Sequence, residues 1–309
     1  MASITLVEST KFTNDLLVKG VARDFIEIDP LFNYLPMLPI TSDVVRVNRE
    51  KTLAGVNTYD IGDPLANTAA TYESVTYGLS TLGGIAEVDG RILATNATQV
   101  DQMELALSSV AKATGRKYRN LFINGDSGSV TTDFDGLANL VSAGQTIAAT
   151  GADGDVFTFA KLDEGIAMTT AKDGDVDFIT MTSREINAMY AAYRNLGGAG
   201  IVETMTLPSG RQIPMYRGIP IFRNDFIPVN QVVGSASNSS SIYFGCFDDG
   251  TMKTGLAGIT SAVDGGIQVI PVGQSETKNA QIAQVIWYAG LMLASDKALT
   301  AVTGIVPAA

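Results

Sequence analysis

The sequence predicts an α+β fold, on three observations. One long amphipathic helix stands in the first half of the chain, at about residues 97–124. Strand patterns lie on both sides of it, at 43–82 and from 267 toward the end. Glycine is frequent, 31 of 309 residues, which favours turns and sheet over a helical bundle.

The helix rests on its spacing. Val100, Met103, Leu107, Val110, Tyr118 and Leu121 are separated by sums of threes and fours and so share one face. Thr98 and Asp101 resemble a capping box with Asp in the Glu/Gln place. Lys112, Arg116, Lys117 and Arg119 crowd the last turns, where the helix dipole favours cations, and Asn124-Gly125 supplies the stop. Its ~25 residues span roughly 37 Å, long against a usual ~11–12 residues. Taken alone, an ordinary core helix explains it.

The strands rest on alternation and turns. Val44, Val45 and Val47 begin a strand, and residues 73–82 return as another, with Val75, Tyr77 and Leu79 alternating against polar residues. Between them lies a polar tip with the turn cluster 60–64. This long hairpin is poor in large apolar residues, and an isolated two-stranded ribbon is marginal in water, so another chain is expected to hold it.

Around these parts the chain divides without linkers. Residues 1–41 read as an arm, with a moderately amphipathic stretch at 14–25 and then Pro30, Pro36 and Pro39, which break regular structure. The apolar residues between the prolines need cover from their own domain or a neighbouring subunit. Residues 156–265 read as a compact α/β lobe: a helix over 157–170, a buried strand at 177–181, and a helix opened by Thr182-x-x-Glu185 and closed by Gly197-Gly198. A hairpin turn follows at 208–210. Pro220 marks 218–222 as an edge strand, 234–241 reads as a flexible serine loop, and 242–247 as a strand.

Composition narrows the chemistry. With 46% hydrophobic and 17% charged residues, the chain can bury a sizeable core. Net charge is −11, against a dedicated nucleic-acid grip but compatible with loosely enclosing DNA. There is no histidine, which removes His bases, His triads and His metal ligands. The one cysteine, Cys246, lies in an apolar strand as an inert thiol. Acid-rich turns at 133–136 and 173–177 lack the glycine and glutamate of a calcium loop. No phosphate-cradling loop, nucleophile elbow, secretory leader or membrane span is present, so no catalytic residue, cofactor or metal is expected.

The order of parts resembles a tailed-bacteriophage major capsid protein of the Hong Kong 97-like fold, which encapsulin shells share. The residues that carry the resemblance are Arg119-Asn-Leu-Phe-Ile-Asn-Gly-Asp126, Phe178-Ile-Thr-Met-Thr-Ser-Arg-Glu185, Tyr216-Arg-Gly-Ile-Pro-Ile-Phe222 with Ile227-Pro228, and Ile242-Tyr-Phe-Gly-Cys-Phe-Asp248. The resemblance implies an N-terminal arm (1–41), an E-loop hairpin (42–90), a P domain built on the spine helix (91–155 and 266–309) and an A domain (156–265). It implies a homo-oligomer of pentamers and hexamers in an icosahedral shell around double-stranded DNA, in a virion assembled in the bacterial cytoplasm. A separate scaffolding protein, a portal and a decoration protein are implied candidate partners, and no membrane is. Lys51, Tyr59, Asp63 and Tyr72 on the hairpin become inter-subunit contact candidates. Lys112, Arg116, Lys117 and Arg119 become contacts to the lumen or to a neighbour, although helix-end charge complementarity explains them equally well. Some relatives cross-link a hairpin lysine to a neighbour's asparagine; Lys51 has no matching asparagine or acid, and no cross-link is expected. The alternatives are an encapsulin-type compartment and a soluble carboxylate enzyme.

Overall fold

The structure is a computed structural model that describes residues 30–61, 68–90, 99–171, 175–195, 203–208, 210–262 and 266–307. The arm's amphipathic stretch, the Thr98 cap and the Gly197-Gly198 stop lie outside them. The prolines of the arm break regular structure less than expected: Pro30 opens a 3-10 turn at Pro30–Asn33, and Pro39 lies within a short strand, β1 (Met37–Ile40). Leu31, Leu35 and Ile40 are buried in the chain's own core. Strand β1 is the outer strand of its sheet, where Pro39 disrupts no inner ladder.

The hairpin pairs β2 (Val44–Thr52) with β3 (Thr71–Gly78). The return strand expected over 73–82 is two strands. It breaks at Leu79, and β4 (Ser80–Asp89) leaves the hairpin. The long helix follows as α1 (Gln99–Asn124). Leu107, Tyr118 and Leu121 are buried as their spacing requires. The basic side chains stop short of its last turn, which holds no cation because Leu121, Phe122 and Ile123 are buried there. Gly125 ends the helix by its size rather than by a left-handed turn. Gly136 N–H donates to its carbonyl at 2.9 Å, and an added Cβ would collide with the carbonyl oxygens of Phe134 and Leu121.

A short helix α2 (Leu137–Leu140) and two short strands, β5 (Thr146–Ala148) and β6 (Asp155–Val156), lead into the lobe. There α3 (Phe159–Met168), β7 (Phe178–Met181) and α4 (Ser183–Asn195) follow in order. Half of the capping box forms: Glu185 Oε2 accepts the Thr182 N–H at 3.0 Å. Next come β8 (Thr204–Thr206), β9 (Gln212–Tyr216) and β10 (Ile219–Arg223), with the expected hairpin between the first two. Strand β10 is internal, not an edge. Ile219 and Pro220 pair with β9, while Ile221–Arg223 pair with β7. Pro220 therefore sits where the strand changes partner.

The expected serine loop is also a strand. After β11 (Gln231–Val233) and a turn at Gly234, β12 runs Ala236–Gly245 with Ser239, Ser240 and Ser241 buried. Their hydroxyls have partners: Ser239 donates to the Gln231 carbonyl at 2.8 Å, Ser241 to Gln231 Oε1 at 2.7 Å, and Ser240 bonds Glu185. Polar satisfaction lets small hydroxyls fill a buried strand that composition alone assigns to a loop.

The chain closes with β13 (Leu256–Ser261), β14 (Ile267–Gln274), β15 (Ala280–Leu293) and β16 (Leu299–Val306). Two sheets result. In the first, β15 pairs β4 along one edge, and β14 then β13 along the other, with β1 parallel outside β13. The second has nine strands, with β16 beside β12 and β12 beside β7. Sheet membership therefore crosses the sequence boundaries. Strand β1 leaves the arm and β4 the hairpin segment for the first sheet, β13 joins it from the lobe segment, and β5 and β16 join the sheet of the lobe from the segments before and after it.

Helix α1 lies on the first sheet. Its earlier half packs Leu107 and Ala111 on Ala86 and Val285. Its later half enters the main core, where Tyr118 meets Trp287 (ring centroids 4.5 Å apart), Phe32 (5.4 Å) and Phe134 (5.5 Å). A further cluster fills the space between the second sheet and helices α3 and α4 with Leu162, Ile179, Met189 and Phe244.

Burial gives the core an alkaline limit. It pushes the Tyr243 hydroxyl up to about 12, against a smaller opposing bond from Ser241, and raises Tyr118 still further. An unfolded tyrosine ionises near 10.0, so above that pH the unfolded chain holds fewer protons and is favoured. The unfolding free energy from urea titrations followed by circular dichroism should hold up to about pH 10 and fall steadily toward pH 12, by ~2–3 kcal/mol for Tyr243 alone.

Candidate assembly surfaces

The hairpin has an inner and an outer part. Along β2, positions 45, 47 and 49 face inward, and Val47 and the cross-strand Tyr77 are buried at the base. Arg49 continues that parity. Its Nε donates to the Ala294 carbonyl at 2.9 Å, its Nη2 to Tyr77 Oη and to the Leu293 carbonyl, both at 2.6 Å, and its Nη1 pairs with Asp296. The base is thus fastened to its own chain, which corrects the expectation that another chain alone supports it. Burial raises the Tyr77 hydroxyl above its ordinary value, with Arg49 opposing.

Beyond Glu50 the character changes. Lys51 Nζ and Glu73 are 3.0 Å apart with both side chains exposed, a pair worth at most about 1 kcal/mol. Residues 53–61 form no strand, although Gly55 passes close beside Thr68 of the returning limb. Leu53 (78%), Val56 (92%), Ile61 (102%) and Tyr72 (71%) carry apolar surface into solvent. A monomer gains nothing by exposing large apolar groups at the end of a projecting ribbon; a protein that covers them on a partner does. Tyr72 pairs with Glu50, Lys51 lies at the register shift that follows, Tyr59 lies farther out, and Asp63 is outside the described residues.

The outer face of α1 is the second surface. Lys112 and Arg116, one turn apart, are exposed. Lys117 reaches Asp133 at 3.4 Å, and Arg119, half-buried, stacks over Phe226 at 5.0 Å. Lys117 and Arg119 therefore tie the helix to the turn after it and to the lobe.

A third surface escaped the sequence reading. On the face of the first sheet turned away from α1, Ile85, Ile270 and Val272 are exposed on β4 and β14. The alternation in 80–89 was the available signal, since it puts Ile85 opposite Ala86 and Val88. Arg49 escaped as well, although the parity of Val45 and Val47 pointed it inward.

The two buried carboxylates among the described residues are both occupied. Glu185 holds the start of α4 and accepts from Arg184 and Ser240, while Asp248 accepts the N–H groups of Gly250, Met252 and Thr254. Cys246 is buried, with its Sγ 2.9 Å from the Asp175 carbonyl. Among the described residues no group of three or more His, Cys, Asp or Glu side chains is placed to hold a metal ion. No described helix is long and apolar enough to cross a membrane.

No protein-family model matches the sequence, and no curated protein matches it. Solved structures match its fold. The chain is similar to a chain of the holo-SrpI encapsulin complex from Synechococcus elongatus, with TM-score 0.66 and 20% identity over 89% of this chain and 87% of that one. It is similar to the capsid chain of cyanophage A-1(L), with TM-score 0.64 and 13% identity over 90% and 93%. It is also similar to the capsid chain of the native GTA particle, with TM-score 0.62 and 15% identity over 89% and 90%.

Proposed function

We infer, from a chain that has the Hong Kong 97-like fold, that this protein is a structural shell subunit without catalytic activity. The observation that carries the inference is the match in both directions: about nine-tenths of this chain overlies about nine-tenths of chains that build capsids and compartments. The projecting hairpin with its apolar tip supports it, because subunits placed head to tail in closed rings cover such tips on one another.

The finer reading is a phage major capsid protein, with pentamers and hexamers forming an icosahedral head around double-stranded DNA in the virion, assembled in the host bacterial cytoplasm. Lys51, Tyr59, Asp63 and Tyr72 contact neighbours. Lys112 and Arg116 meet packaged DNA or a neighbour, and the net charge of −11 keeps that DNA loosely held. A scaffolding protein, a portal and a decoration protein complete the particle. The encapsulin match favours a second reading, a compartment enclosing protein cargo.

Negative-stain electron microscopy of the purified protein should show rings or closed particles. A strictly monomeric, compact particle would overturn the shell reading. Nuclease-protected double-stranded DNA in particles from the native source supports the head; protein cargo without DNA supports the compartment.

A further inference from the structure

We propose that Arg49 is the positioning residue of the hairpin, locking its base onto the junction between the two sheets so that this junction sets the direction in which the tip is presented. The consequence for assembly rests on the shell reading; the lock itself does not.

The acceptors around the guanidinium come from three places. Tyr77 belongs to the opposite strand of the hairpin. Leu293 is the last residue of β15, and Ala294 follows it. Asp296 opens the 3-10 turn that leads into β16. Residues 294–298 thus form the short step by which the chain leaves the first sheet for the second. Arg49 grips that step rather than the middle of either sheet.

The step is itself held in place. Leu293 pairs with Leu256, Ala294 N–H donates to the Gly255 carbonyl at 2.9 Å, and Ala298 N–H to the Ser295 carbonyl at 3.1 Å. Tyr77 Oη donates to the Leu293 carbonyl at 2.9 Å, so the phenol and the guanidinium converge on one oxygen. A planar fork with acceptors on several sides fixes an orientation as well as a distance, which an ammonium on a flexible stem does not. The Arg49 side chain is only 14% exposed, so water competes little for these bonds. Without them the base would rest chiefly on the apolar contacts of Val47 and Tyr77, which constrain sliding and tilting far less. Farther out, the exposed Lys51–Glu73 pair cannot set an angle to the body, since both partners belong to the hairpin.

Hydrogen exchange of the purified full-length protein tests the lock. In Arg49→Met, amides of β2 and β3 should exchange at least ~10-fold faster, while those of β12 and β16 stay within ~3-fold of wild type. Arg49→Lys should fall between the two. Asp296→Asn, which leaves the carbonyl and phenol acceptors in place, should show a smaller acceleration confined to the hairpin, and it provides the test if Arg49→Met does not fold. Unchanged hairpin exchange, or an acceleration spread evenly over the chain, would overturn the proposal and reduce Arg49 to a general stabiliser. In electron micrographs Arg49→Met should give mixed diameters and unclosed sheets where wild type gives one closed size. A wild-type diameter from a loosened hairpin would overturn the positioning role. Wild-type protein that forms no particles would instead count against the shell reading and leave the exchange result to decide the lock.

Discussion

A chain lacking residues 53–72, with Thr52 joined to Glu73 through Asn-Gly, should fold and fail to assemble. The deletion removes the stretch where the hairpin carries Leu53, Val56, Ile61 and Tyr72 exposed, and none of the described residues among those removed belongs to the buried core. It leaves Val47, Tyr77 and the Arg49 bonds in place, so the stability of the monomer should change by less than ~1 kcal/mol. Particle yield measured by size-exclusion chromatography and microscopy should fall to background, at least ~100-fold, if each subunit contact loses even ~3 kcal/mol of apolar burial. Normal shells from the deleted chain would remove the hairpin from the assembly account. Loss of folding would mean that the tip supports its own subunit after all.

Tyr118→Ala should be the most damaging single truncation in the body. The ring lies fully buried where helix α1, the arm, the sheet and the turn after the helix meet, with Trp287, Phe32 and Phe134 as aromatic neighbours. Removing it takes away apolar burial and leaves a cavity bounded by elements distant in sequence, so ~3–5 kcal/mol of stability should be lost in urea unfolding. Tyr118→Phe keeps the ring and should lose less than ~1.5 kcal/mol. A loss below ~1.5 kcal/mol for the alanine variant would show that the surrounding elements collapse onto one another readily, and would displace this joint from the centre of the fold.

What could be read in the sequence follows the range of the forces involved. Helix α1 was legible because its burial repeats locally, at 107, 118 and 121. The start of α4 was legible because Thr182 and Glu185 are three residues apart. The end of the strand at 236–245 was legible from 242 on, but its first part, 236–241, was hidden because its serines are satisfied by Gln231 and Glu185, partners that only the folded chain supplies. Pro220 misled because a proline can enter an inner strand where that strand exchanges one neighbour for another, a feature of topology and not of sequence. The candidate surfaces divide the same way. A long hairpin was legible from the alternation at 44–47 and 75–79, but its tip, expected to be polar, carries Leu53, Val56 and Ile61 into solvent. The fastening of its base was not legible, since Arg49 finds acceptors 244–247 positions away.

Trp287 is the only tryptophan in the chain, it is 3% exposed, and its ring lies against Tyr118. Intrinsic emission excited at the red edge of the absorption band therefore comes from one indole, at the meeting point of helix, sheet and arm. Loosening of that joint during assembly or disassembly would shift the emission to longer wavelength, whereas movement of the exposed hairpin tip beyond Thr52 would leave it unchanged. The protein thus contains an optical probe, with no label attached, that separates rearrangement inside the subunit from movement of its projecting parts.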